Sequence, residues 1–118
     1  MNKKPKLIYL AAPYTFNGKS ARRVVLRRVA AIDKFAASIF AAGDYVFSPI
    51  SHTHPIKEAS GGKLPGGFEF WEQCAYRMID GCDEVWVLML DGWRDSVGVK
   101  AEVWYAEHSG KPVHYKEP

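Results

Sequence analysis

The chain has 118 residues, 47% hydrophobic and 25% charged, which suits a single domain over 1–118 and excludes a disordered tail or a pair of domains. Its two cysteines, Cys74 and Cys82, are too few for a disulfide framework and lack the second pair of a structural zinc site, so a reducing, cytoplasmic setting without a metal is expected. The net charge of +3 hides an asymmetry of +8 over residues 1–34, where nine Lys/Arg face one acid, and −5 over residues 35–118, where seven face twelve; this suits an anionic partner or a solvated helix face, and the absence of interleaved aromatics argues against nucleic acid.

In chain order, Lys6-Leu7-Ile8-Tyr9-Leu10-Ala11-Ala12 is a continuous apolar run broken by Pro13, the pattern of a strand buried on both faces. At seven residues to Pro13 it is far too short to cross a bilayer, and no small-residue cleavage site follows, so neither an export signal nor a membrane anchor is expected. From about Lys19 to Ala42, Val25, Val29, Ile32, Ala36 and Ile39 recur at helical spacing, and Gly43 ends the pattern. Asp44 to Ser48 is a short strand closed by Pro49. Ser51 to Gly67, with four glycines and two prolines, has the composition of a long loop.

Phe68, Trp71, Ala75 and Met78 to Ile79 predict a second helix from Phe68 to about Gly81. Glu84 to Leu90 is the strongest strand, Val97 to about Ser109 a third helix ended by Gly110, and Pro112 to Tyr115 a last strand. Strands of this buried type alternating with helices imply an α/β fold with a parallel sheet of about four to five strands. In such sheets ligands bind beyond the carboxyl ends of the strands. That rule brings Ala12 to Thr15, Ser48 to His54 and Asp91 to Gly98 to one expected cleft.

Within the third stretch, Asp95 or Ser96 can cap a helix whose first amides point at the cleft, and Gly98 lets a ligand approach closely, as an anion would; an ordinary capped helix start has the same sequence. Glu102 falls about 60° from Val99 and about 40° from Ala106 on a helical wheel, at the edge of the apolar face. There it is partly desolvated, and it is either a tuned nucleophile or base or a boundary glutamate that reaches water.

The combination Ile8-Tyr9-Leu10-Ala11-Ala12-Pro13-Tyr14, Ser96-Val97-Gly98-Val99-Lys100-Ala101-Glu102 and Gly110-Lys111-Pro112-Val113 resembles the nucleoside 2-deoxyribosyltransferase superfamily over most of the chain. The resemblance implies a flavodoxin-like three-layer sandwich and cleavage or transfer at the N-glycosidic bond of a 2′-deoxynucleoside or its 5′-monophosphate. Glu102 matches the family's nucleophile, which forms a covalent deoxyribosyl-enzyme, and Tyr9 matches the tyrosine that orients it. An adjacent carboxylate suits an oxocarbenium-like transition state, and two displacements each cross a lower barrier than one.

Ser96 is similar to the serine with which 2′-deoxynucleoside 5′-phosphate N-hydrolases help hold the phosphate. Lys19, Arg22 and Arg23, near the start of the first helix, suit the same anion. Two positions depart from the family. Ala75 stands where the family carries the Asp that protonates the leaving base, with Asp80 and Glu72 on the same helix as replacements, and Ala12 stands for the usual Gly.

Within the superfamily, the segments Pro49 to Pro55 and Gly92 to Ser96 look most like a subgroup of small bacterial and phage single-domain proteins. His52 and His54 either contact the substrate, assist as an acid or bind a metal, or bond to local backbone groups. Trp71, Trp86 and Trp104 are expected in the core or an interface, and Trp93 is expected to stack on a base. The expected substrate site thus comprises Ala12, Pro13, Tyr14, His52, Trp93, Asp95, Ser96 and Gly98, with Glu102, Tyr9 and Asp80 catalytic. No cofactor is called for, a homo-oligomer is expected, and the alternative function is a nucleotide-binding module of the same fold without turnover.

Overall fold

The computed structural model describes residues 4–15 and 20–118. Four strands, β1 (Leu7–Ala11), β2 (Tyr45–Phe47), β3 (Glu84–Leu88) and β4 (Val113–Lys116), form one sheet in the order β2-β1-β3-β4, and every pair is parallel. Helices α1 (Arg22–Ala41), α2 (Pro49–Ala59), α3 (Phe68–Asp80) and α4 (Val97–His108) complete the described fold, with a 3₁₀ turn at Trp93–Asp95.

The continuous apolar runs arise because both faces of the sheet are covered. On one face Ile8 and Leu10 of β1 meet Ile32, Ala36 and Ile39 of α1. On the other, Tyr9 and Ala11 of β1 and Val85 and Val87 of β3 meet Ala75 and Ile79 of α3 and Val99 and Ala106 of α4. This is the expected flavodoxin-like three-layer sandwich. The chain leaves β1 for β2 in one direction and returns past β1 to β3, so the direction reverses between β1 and β3, where the loops after these strands diverge.

Element ends shift by a residue or two from expectation, as helix and strand ends do. The one substantial correction is α2. The composition of Ser51 to Gly67 predicts a loop, yet 49–59 is helical and only about 60–67 is irregular. Pro49 occupies the first turn, where a missing N–H costs nothing, but Pro55 lies inside the helix. No residue of α2 is fully buried; Ile50 packs partly buried against the core of β1 and α1, and long-range polar bonds add to that hold. Arg22 Nη1 of α1 reaches Glu58 Oε1 at 2.9 Å, the Ser51 hydroxyl donates to Asp33 Oδ1, and His54 Nδ1 lies 2.7 Å from Tyr14 Oη. Of the basic residues noted above, Arg22 and Arg23 open α1, and Lys19 lies outside the described residues. No helix among the described residues is long and apolar enough to cross a membrane.

Candidate active site

A cavity of about 390 Å³ opens beyond the carboxyl ends of β1 and β2. The β1 strand and the loop after it contribute Tyr9, Ala12, Tyr14 and Thr15; β2 and α2 contribute Phe47, Ile50, His52 and Lys57; α3 contributes Phe68, Glu69, Trp71, Cys74, Ala75 and Met78. The start of α4 closes it with Val97, Gly98 and Glu102. Gly98 matters for packing, because a Cβ there would stand 3.0 Å from Cδ1 of the Phe68 ring, which lies against the bare backbone.

Glu102 is the most perturbed carboxyl group of the site. It is 6% exposed, on the second turn of α4, and burial raises its pKa from 4.5 to about 8. The opposing influence is the hydroxyl of Tyr9, which donates to Glu102 Oε2. Tyr9 is itself fully buried, and burial, then the neighbouring Glu102 carboxylate, hold its phenol well above the ordinary range, so it is a lasting donor. The sequence predicts a glutamate at the edge of the apolar face. The fold buries it, because β1 delivers a tyrosine that satisfies one carboxyl oxygen in a low-dielectric wall.

A family model described as a domain of unknown function (DUF1937) matches residues 6–117, a span that contains every residue lining the cavity. The chain belongs to this DUF1937 family. No curated protein matches it.

In this DUF1937 chain the cavity brings together six of the expected site residues: Tyr9, Ala12, Tyr14, His52, Gly98 and Glu102. Five others lie apart from it. Pro13, in the loop after β1, is buried and does not line the cavity. Asp80 ends α3 and accepts a hydrogen bond from Tyr105 at 2.7 Å. It lies about 7.5 Å along the helix and about 140° around it from Ala75, which does face the cavity. Glu72, the other replacement considered, accepts from Tyr76 at 2.7 Å and does not line the cavity.

Trp93 is absent from the cleft because Gly92, in the left-handed region at φ +89°, turns the chain toward β4, where Trp93 packs on Tyr115 at 5.5 Å. The tryptophan that lines the cavity is Trp71, steadied by its indole N–H donating to the Pro65 carbonyl at 2.8 Å. Asp95 is exposed on the 3₁₀ turn, and Ser96 is the cap of α4, its Oγ accepting from the Val99 N–H at 3.2 Å. The third predicted stretch therefore reaches the cleft only through Val97 and Gly98. Loss of such a cap costs about 1 kcal/mol. Ser96→Ala is expected to lower stability by about that much and leave the ratio of nucleoside to monophosphate affinity unchanged in calorimetric titrations. A loss confined to the monophosphate would return Ser96 to the ligand.

Glu69 and Lys57 carry no signal in the sequence reading, and both line the cavity. Glu69 follows Phe68 in the first turn of α3, where its charge suits the helix dipole. Lys57 sits inside the segment whose composition predicts a loop. His54 does not line the cavity; its ring bridges Tyr14 and Glu58, the latter 3.5 Å from Nε2. Among the described residues no group of three or more His, Cys, Asp and Glu converges as a metal site would require.

Proposed function

We propose that this protein breaks the N-glycosidic bond of a 2′-deoxynucleoside or its 5′-monophosphate, with Glu102 as the nucleophile. The observation that carries the reading is a buried carboxyl group on the wall of an open cavity, bonded to the hydroxyl of Tyr9. The likeness of three segments to the nucleoside 2-deoxyribosyltransferase superfamily supports the same assignment, since Tyr9 and Glu102 fall at its paired tyrosine and nucleophile.

In the reaction, ionised Glu102 forms a bond to the anomeric carbon as the bond to the base nitrogen breaks, and the base takes a proton from an acid. The resulting glycosyl ester is then opened by water, in a hydrolase, or by a second base, in a transferase. With Ala75 facing the cavity, the carboxyl and imidazole groups other than Glu102 that line it and can protonate the leaving base are Glu69 and His52. The same Ala75 favours a second reading, a nucleotide-binding module without turnover. Self-association belongs to the first reading, supported by exposed apolar side chains on α3 and α4, Phe70 and Trp104 among them. The free thiols of Cys74 and Cys82 suit a reducing, cytoplasmic setting.

Chromatography of 2′-deoxynucleosides and their 5′-monophosphates after incubation, with and without an acceptor base, tests this. Free base without acceptor marks a hydrolase, and a new nucleoside formed only with acceptor marks a transferase. Absence of any Glu102-dependent product, with binding retained, establishes the second reading.

A further inference from the structure

Lys57 is the one Lys or Arg side chain that lines the cavity among the described residues. Its ammonium is held in place without a carboxylate of the described residues in direct contact, the charge of Glu58 acting on it only from beyond ion-pair distance. Nζ donates to Tyr14 Oη over a long 3.3 Å and lies 4.4 Å from the centre of the Tyr14 ring. No carboxylate oxygen among the described residues stands within 4.0 Å of it. The nearest acid in sequence, Glu58, is engaged by Arg22 at 2.9 Å and His54 at 3.5 Å. His54 also fixes the Tyr14 hydroxyl, at 2.7 Å.

The cavity that this cation lines has largely aromatic and aliphatic walls, Phe47, Ile50, Phe68 and Trp71 among them. A charge in such a setting is attracted to an opposite charge more strongly than it is in water. Partial burial already pulls the Lys57 ammonium below the ordinary lysine range, a cost that an incoming anion removes. The other place for an anion, the start of α4, offers less, because Ser96, whose Oγ accepts from the Val99 N–H as the cap of that helix, does not line the cavity.

We infer that Lys57 and the Tyr14 hydroxyl form the subsite that reads negative charge on the ligand, so that the cavity selects a phosphate monoester over its uncharged parent. A phosphate monoester carries close to two negative charges and three acceptor oxygens, which suits an ammonium with three donors beside a phenol. Resting on the reading above, this makes the nucleoside 5′-monophosphate the preferred substrate. It also places the specificity determinant on α2 and the loop after β1, on a different wall from Glu102.

Binding by calorimetry separates this inference from the catalytic reading. The ligands are the four 2′-deoxynucleoside 5′-monophosphates, the matching deoxynucleosides and inorganic phosphate, each titrated into Glu102→Gln protein so that nothing is consumed. At least one monophosphate is expected to bind ten-fold or more tightly than its nucleoside and than inorganic phosphate. Adding Lys57→Met is expected to abolish that ratio while nucleoside affinity stays within two-fold, and Lys57→Arg is expected to keep part of it. Circular dichroism checks the fold of each variant. Should Lys57→Met not fold, the preference of the Lys57 protein must still fall as sodium chloride rises from about 50 to about 500 mM. Equal binding of nucleotide and nucleoside, a ratio that survives Lys57→Met, or a salt-independent preference overturns the inference. So does inorganic phosphate binding as tightly as the nucleotide, which marks an adventitious ion site. Lys57-dependent binding without base release by the unsubstituted protein sinks the catalytic reading alone, and base release indifferent to Lys57 sinks the inference alone.

Discussion

Glu102→Gln is expected to remove base release, by about 10³-fold or more, while making the folded protein more stable at alkaline pH. The first effect follows from loss of the nucleophile, which a neutral amide of the same shape does not replace. The second follows from burial. Glu102 holds its proton up to about pH 8 when folded, against an ordinary value of 4.5. Between these values the native state binds more protons than the unfolded chain, so stability falls as pH rises. The contribution of the protonated group is fully present below about 4.5 and is lost as pH passes through about 8.

The amide of the Glu102→Gln variant does not titrate, so the variant gains on the parent by about 1.4 kcal/mol for each pH unit in that window, reaching a few kcal/mol near pH 8. Urea denaturation of both proteins at pH 4.5, 6 and 8 gives the comparison directly. A stability difference constant across pH would mean that Glu102 titrates alike in both states, and the buried-acid account would fail. The kinetic counterpart is a kcat/KM that rises with pH up to about 8, because the ionised carboxylate is the attacking form.

Much of this arrangement is written in local pattern, and the parts that are not have identifiable causes. The runs at Leu7–Ala11 and Glu84–Leu88 carry apolar residues on both faces, so they announce a covered parallel sheet, and the sheet places the site at its carboxyl edge. Glu102 betrays itself by lying beside Val99 and Ala106 on the wheel. Asp80, expected to be catalytic, is corrected by the structure, where it bonds Tyr105 away from the cavity, and its place about 140° around the helix from Ala75 is the reason.

Helix α2 is different in kind. Its sequence, Pro-Ile-Ser-His-Thr-His-Pro-Ile-Lys-Glu-Ala, has an internal proline and no fully buried residue, and beyond the packing of Ile50 it is held by bonds to Asp33, Arg22 and Tyr14, which local periodicity does not register. Lys57 stays hidden for the same reason. Trp93 and Trp71 exchange places for two reasons that local pattern leaves open. One is the direction of the turn at Gly92. The other is that the apolar stripe of α3 divides, with Ile79 in the core while Phe68 and Trp71 line a cavity.

Tyr9→Phe tests whether the phenol sets the chemistry of Glu102 or only its position. The substitution keeps the ring, including its packing on Phe47 at 6.0 Å, and removes the one hydroxyl that pulls the Glu102 pKa down. A hydrogen bond to a charged group is worth about 1.5–3 kcal/mol, or about one to two pH units. The rising limb of kcat/KM is therefore expected to move to higher pH by about that amount, and activity at pH 7 to fall by about 10- to 100-fold. At a pH where Glu102 is ionised in both proteins the loss should shrink. Carbon NMR of the Glu102 carboxyl in the unliganded protein reads the same shift without any substrate. If the whole profile drops while its limb and the NMR titration stay in place, Tyr9 acts by aiming the carboxylate. The ionised Glu102 would then owe its stability to groups other than the phenol.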